Sequence, residues 1–209
     1  MNQIQNEKQD KPKPGRGSIL RASRLALITM GLLWCSQEPL GWSWCVWFAL
    51  VPWLVAVVRD HSYLRSVLVS LVCGSGYYAA SLYWLANVTL PGMLALSAAM
   101  GLYFVVWGFL LRRVYVSGQM SFTLVLPIFW VCQEYLRATL FTGFPWLFLS
   151  HSLHEYSNII QIADFAGAYG VTFIAAMVNG YIADILLRPQ FKPRANGKMK
   201  NLMLYRTFA

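Results

Sequence analysis

Charge is what this 209-residue sequence has least of. Only 12% of its residues are charged, against about 25% in ordinary soluble domains. Hydrophobic residues make up 57%, and several apolar runs reach roughly 18 residues. A soluble core does not need so many unbroken apolar runs, so an ordinary soluble domain is excluded. Short segments of alternating hydrophobicity are also missing, which excludes a transmembrane β-barrel. The four cysteines, Cys35, Cys45, Cys73 and Cys132, show no CxxC or Cys/His spacing. They read as buried small hydrophobes rather than as a metal or redox site. No phosphate-cradling glycine loop, zinc-helix motif or Ser/His/Asp arrangement appears, so neither a metal nor a cofactor is expected. There is no inverted repeat and no charge constellation at mid-span, which argues against a transporter.

What is present is an all-α pattern of about six apolar spans. They fall at residues 19–36, 41–58, 64–85, 90–111, 121–140 and within 159–187. Residues 1–17 are polar and read as a disordered cytoplasmic tail. Residues 188–209 read as a basic tail or as the start of a further span. The first span begins basic, as a signal peptide does, but Leu33-Trp34-Cys35 offers no small residue for cleavage, so it is read as retained. The formal net charge is +9. In a soluble protein that would suggest nucleic acid. Here the basic residues sit in the tails and in short connections, and topology accounts for them. With the amino terminus inside, every one of the 17 basic residues except Arg137 falls on the cytoplasmic side. The expectation is a polytopic helical membrane protein with residues 18–187 as its membrane domain and no nucleic-acid partner.

The chain is organised around Phe141, Thr142, Gly143, Phe144, Pro145, Trp146 and Leu147. Gly143 and Pro145 break a helix, and the aromatic residues beside them suit a membrane surface. Topology puts this loop outside the cytoplasm. Just before it lie Glu134 and Arg137, on one helical face at i,i+3 spacing. They are roughly 20 and 24 Å along the fifth span at 1.5 Å per residue, near the edge of a ~30 Å hydrocarbon layer. Two readings stand: a functional pair, because charges there are costly, or a structural ion pair fixing the helix. His151 and His154 read as exposed loop residues, since no third ligand is evident. Asp164 reads as a cap or pairing partner at the outer end of the sixth span. Tyr77, Tyr78, Tyr83 and Trp84 crowd the outer end of the third span, as anchors or as one wall of a lipid-facing cleft with Trp146.

Several stretches together resemble one family. They are Phe48-Ala49-Leu50-Val51-Pro52-Trp53-Leu54, then Gly76-Tyr77-Tyr78 with Ser81-Leu82-Tyr83-Trp84-Leu85. Trp130, Glu134, Leu136 and Arg137 follow, with Thr142-Gly143-Phe144-Pro145-Trp146. Last come Gln161-Ile162-Ala163-Asp164, the run Gly167 to Phe173, and Asn179. In this order and spacing they resemble the bacterial apolipoprotein N-acyltransferases. The resemblance implies an inner-membrane enzyme that moves an acyl chain from a phospholipid to the amino group of a lipidated apolipoprotein cysteine, through a thioester. It also implies that the catalytic Glu, Lys and Cys lie in a nitrilase-like domain on the outer face.

The sequence departs from that pattern after the sixth span. Asn201-Leu202-Met203-Leu204 looks like the first turn of a seventh span, and no nitrilase-like domain follows. No cysteine matches the nucleophile's motif. By the resemblance, Glu134, Arg137, Gly143, Phe144, Pro145 and Trp146 border the access route for phospholipid and lipidated apolipoprotein. The chain is then expected to be catalytically incomplete by itself. Two alternatives stand beside it: the membrane half of a split enzyme with a separate nitrilase-like chain, and a non-enzymatic lipid-binding or interaction module.

Overall fold

A computed structural model describes residues 16–60, 62–118, 120–140 and 143–188. The expected tails, the seventh-span start at 201–204, and Phe141 and Thr142 of the central loop lie largely or wholly outside these residues. Every regular element described is helical. They are α1 (Arg16–Ser36), α2 (Val51–Arg59), α3 (Tyr63–Ser81), α4 (Leu90–Ser117), α5 (Phe122–Thr139), α6 (Ser157–Ile160) and α7 (Ala163–Leu187). Short 3₁₀ turns occupy Ser43–Trp47, Tyr83–Asn87 and Leu149–Leu153.

Two of these helices, α4 and α7, are long and apolar enough to cross a membrane by length and composition. The others fall short for identifiable reasons. α1 carries arginines in its first turns, α5 holds Gln133, Glu134 and Arg137, and α3 is diluted by serines and glycines. The expected second span is not one helix. It is the 3₁₀ turn Ser43–Trp47 followed by the nine-residue α2, with Pro52 in the first turn of α2. Proline has no N–H to continue the helical ladder, so it suits the first turn where α2 begins, although α5 does run through Pro127. Side chains satisfy the freed backbone. Asn179 of α7 accepts from the Leu50 N–H (2.9 Å) and donates to the Val46 carbonyl (2.8 Å), and Thr29 of α1 accepts from the Trp53 N–H (2.8 Å). α4 outruns its expected end by six residues and stops at Gly118, whose φ of 67° suits a left-handed cap.

α3 and α4 pack antiparallel at close range. A Cβ on Gly101 would meet Ser75 Oγ at 2.1 Å, and one on Gly74 would meet the Phe104 ring at 2.7 Å. α5 and α7 form the second close pair, where a Cβ on Gly180 would strike the Phe122 carbonyl at 2.3 Å. Between the pairs lies an aromatic core. The Phe104 ring is 5.3 Å from Trp53, 5.5 Å from Trp130 and 6.4 Å from Tyr78, mostly edge-on, the arrangement that ring quadrupoles favour.

The outward faces are apolar too. Leu94, Leu102, Val106 and Phe109 of α4, Leu124 and Ile128 of α5, and Leu68 and Val72 of α3 are all exposed. Two cysteines differ from the buried reading: Cys45 and Cys73 are buried, whereas Cys35 is half-buried and Cys132 is exposed on α5.

Candidate functional site

The two charged residues of α5 are buried. Glu134 is 0% exposed and Arg137 2%. They do not form the direct ion pair weighed above. The Glu134 carboxyl instead gathers three donors from three elements. Oε1 accepts from Trp130 Nε1 (3.2 Å) one turn earlier and from the Leu149 N–H (2.9 Å), and Oε2 accepts from Thr172 Oγ1 of α7 (2.8 Å). Thr172 in turn accepts from the Ser150 N–H (3.2 Å). One carboxyl thus ties α5, α7 and the turn Leu149–Leu153 together.

Arg137, on the same helical face, takes other partners. Its Nη1 donates to Tyr78 Oη of α3 (2.5 Å) and its Nη2 to the Leu147 carbonyl (3.5 Å). Its guanidinium lies over the rings of Tyr78 (5.3 Å) and Phe148 (5.2 Å). Such a planar cation stacks and hydrogen-bonds at once, which an ammonium cannot do.

The loop hangs from these two residues. The Arg137 carbonyl accepts from the Phe144 N–H (2.7 Å), and Gly143 N donates to the Leu140 carbonyl (2.9 Å). Gly143 has φ 71°, and a Cβ there would lie 2.3 Å from the Ala138 carbonyl oxygen, so the turn requires glycine. Leu147 has φ 60°, a strained conformation for a branched side chain, and its carbonyl is the one that Arg137 holds. Pro145 and Trp146 face outward. Trp146, 48% exposed, packs against Phe144 (5.5 Å) and against Trp84 (5.6 Å) after α3. The sequence had grouped Trp84 with Trp146, and they meet. Tyr83 is exposed, whereas Tyr77 and Tyr78 are buried and line the interior.

Behind the loop, Gln37 donates to the Phe148 carbonyl (3.2 Å) and to Ser152 Oγ (2.9 Å), and Ser152 donates to Ser36 (3.0 Å). These residues moor the loop to the end of α1. His151 lies at the surface, as expected, but its ring stacks on Phe148 (5.0 Å) and its Nδ1 accepts from the Phe148 N–H (3.3 Å). Partial burial, then the Arg137 charge, then His154, hold its imidazolium below the ordinary histidine range. Exposed Glu38, His154 and Glu155 bring their ligand atoms within 4.8 Å of one another, with nothing buried to organise them. Asp164 is exposed in the single turn 163–166, which Gly167 (φ 62°, ψ −166°) separates from the rest of α7.

Asp184 was missed in the sequence. It is buried in α7 and accepts from Ser121 Oγ (2.5 Å), Phe122 N (3.1 Å), Thr123 N (2.9 Å) and Thr123 Oγ1 (2.8 Å). It therefore caps α5 from a neighbouring helix. Its one sequence signal is a carboxylate in a strongly apolar run.

These features define an all-helical, largely apolar domain whose polar side chains join helices internally and present an aromatic loop at one end. The profile described as the apolipoprotein N-acyltransferase N-terminal domain matches residues 30–181. The chain belongs to that family. It is 34% identical over 185 residues to an apolipoprotein N-acyltransferase of Geobacter metallireducens, covering 83% of this chain and 35% of that protein. It is similarly 33% identical over 180 residues to one from Rhodopirellula baltica, covering 75% of this chain and 30% of that protein. The chain thus spans about a third of the length of these relatives.

Proposed function

We propose that this chain is the membrane domain of an apolipoprotein N-acyltransferase, in a bacterial inner membrane, with an outer rim that admits phospholipid and lipidated apolipoprotein. Six crossings are assigned to α1, the broken segment 43–59, α3 with its following turn, α4, α5 and α7, with the amino terminus inside. The apolar outward faces support a lipid surround, and the basic residues support the orientation. Broken backbone at 43–59 is compatible with a membrane because it is buried in protein and bonded by Asn179 and Thr29.

The observation that carries the reading is the exposed Trp84–Trp146 pair, seated on a buried network built from Glu134 and Arg137. Tryptophans favour the headgroup level, where one edge is wet and one apolar. Trp146, Phe144 and Pro145 are assigned to contact lipid. Glu134 and Arg137 are too buried to touch a headgroup, so they are positioning residues that fix the loop. A lipid drawn to this rim would lie with its ester carbonyls near the tryptophans and its chains along the apolar helix faces.

Acyl transfer through a thioester needs an activated thiolate beside a base. The four cysteines are free, and the Cys73 thiol is occupied with the Ala26 carbonyl (3.5 Å). We therefore assign no catalytic residue to these 209 residues. The purified chain, given phospholipid and a diacylated lipopeptide, is expected to form no triacylated product by mass spectrometry. Adding a separate nitrilase-like chain tests the split-enzyme form. Robust product from this chain alone would overturn the assignment.

A further inference from the structure

The buried polar groups around Arg137 do not all have protein partners. The inward face of α5 carries Trp130, Gln133, Glu134 and Arg137. Gln133 is 1% exposed, and neither its amide nitrogen nor its amide oxygen meets a hydrogen-bond partner in the protein. Arg137 is 2% exposed, and its Nε is unbonded although Nη1 and Nη2 are engaged. On α4 the hydroxyl of Ser97, also 2% exposed, is unbonded too.

Helix register brings these groups together. α4 and α5 run antiparallel, with the Phe104 ring 5.5 Å from Trp130 and Trp107 5.2 Å from Phe129. One turn further along α5 and one turn back along α4, Gln133 falls opposite Met100, and after a second turn Arg137 falls opposite Ser97. α3 gives the same level independently. Gly74 meets Phe104 and Ser75 meets Gly101, so Tyr78, one turn on, lies beside Ser97. Tyr78 is also the residue to which Arg137 Nη1 donates. Gln133 and Arg137, one turn apart on one face, have Cβ atoms about 5–6 Å apart. Two hydrogen bonds of about 2.8 Å, end to end, span that distance.

We propose that Ser97, Gln133 and the Nε side of Arg137, closed over by Tyr78 and Met100, form an internal polar site that binds ordered water. Water donates to Gln133 Oε1 and accepts from Gln133 Nε2 and Arg137 Nε, which no simple ion does. Buried waters commonly make about three such bonds. A primary amide buried with both ends unbonded is costly, and water removes that cost. An anion suits the guanidinium and the amide nitrogen, but it leaves Gln133 Oε1 unbonded and sits next to the Glu134 carboxyl. A larger ligand is barred, because all three residues are closed off from the surface. The site lies behind Arg137 and is separate from the Trp84–Trp146 rim, so it stands without the lipid reading. It completes the hydrogen bonding of the guanidinium that holds the Leu147 carbonyl.

The test is hydroxyl-radical footprinting of the full chain in nanodiscs, by radiolysis and peptide mass spectrometry. Radiolysis makes radicals from water where it sits, so buried side chains beside bound water are oxidised. Met100, 7% exposed, and Tyr78, 2% exposed, should be labelled, while Trp53 and Phe122, both 0% exposed, stay unlabelled. Gln133→Leu should abolish the label on Met100 and Tyr78. Ser97→Ala should reduce it, and serves if Gln133→Leu does not fold. Stability in reversible SDS unfolding gives a second reading through its sign. In a dry site Gln133→Leu removes an unbonded amide and would stabilise the fold. In a hydrated site it strands Arg137 Nε and the Ser97 hydroxyl, and the fold should lose stability. Replacing chloride by gluconate should change neither readout. Trp146→Ala should leave the label in place, which separates failure here from failure of the outer rim. Label on Met100 and Tyr78 no greater than on Trp53 in the unaltered chain would overturn the proposal. So would a stabilised Gln133→Leu, or a label or stability that follows chloride.

Discussion

Replacing Glu134 probes the junction on which the outer loop depends. Glu134→Ala removes the acceptor for Trp130 Nε1, the Leu149 N–H and Thr172 Oγ1 at a position with no exposure. A buried donor left without a partner costs about 1–3 kcal/mol. Three such donors, allowing for partial relaxation and for the non-additivity of neighbours, give a loss of about 3–6 kcal/mol. Glu134→Gln keeps the shape. Its amide oxygen can accept at the Oε1 position, and its amide nitrogen can donate to Thr172, so the loss should be about 1 kcal/mol. The difference between the two variants is the informative quantity. It is measured by steric trapping or by reversible SDS unfolding in bicelles. Limited proteolysis across residues 143–156 should show faster cleavage in Glu134→Ala alone, because Leu149 N loses its anchor. Alanine tolerated to within about 1 kcal/mol of glutamine would refute the claim that this carboxyl joins three elements.

Other outcomes follow from single geometric facts. Asp184→Ala removes the acceptor of the Phe122 N–H and of the Ser121 and Thr123 hydroxyls at the start of α5, while the Thr123 N–H keeps Ser121 Oγ (3.1 Å), and should cost about 2–4 kcal/mol, with Asp184→Asn recovering at least half, by the same unfolding assay. Gly143→Ala forces a Cβ toward the Ala138 carbonyl at positive φ, and should cost about 1–3 kcal/mol and lower Trp84–Trp146 contact, read by tryptophan fluorescence. The turn around His151 should loosen in acid. Its folded proton affinity is depressed, so below the ordinary value near 6.5 the unfolded turn binds more protons than the folded one, and stability rises with pH. The stabilisation is present above that value and lost as pH falls through the depressed folded one. Protection factors for amide exchange at residues 149–153, taken against the intrinsic rate at each pH, should fall from pH 7 to pH 5, and His151→Gln should flatten that dependence.

Much of the architecture was legible because hydrophobicity and turn chemistry are local. The expected starts at 64, 90 and 121 fall beside the capping residues Ser62, Thr89 and Ser121, whereas the expected end of α4 at 111 stops short of its Gly118 cap. The break at 43–59 was not legible. Its stability comes from Asn179 and Thr29, which are distant in sequence. The same holds for the site. Glu134, Arg137 and the loop after them stood out as charges and breakers in an apolar run. Their partners did not: Tyr78, Thr172 and the Leu149 amide look ordinary until α3, α7 and the loop are brought together. An i,i+3 spacing suggested an ion pair, yet each side chain found better-matched partners on other elements. Asp184 was not singled out in the sequence, and Arg112 counted there only among the basic residues of the cytoplasmic side. Arg112 is instead buried, bonded to the Val57 carbonyl (2.9 Å) and Ser66 (2.5 Å), and stacked 4.3 Å over Tyr63.

The proposed role of the loop bearing Trp146, beside Trp84, is to meet membrane lipid. A photoreactive phospholipid with its label near the ester carbonyl, incorporated in nanodiscs with the full chain, tests it directly by peptide mapping. Label is expected on residues 83–88 and 143–148, lost in Trp146→Ala and reduced in Glu134→Ala. Label spread evenly over the apolar helix faces, or unchanged by Trp146→Ala, would contradict it.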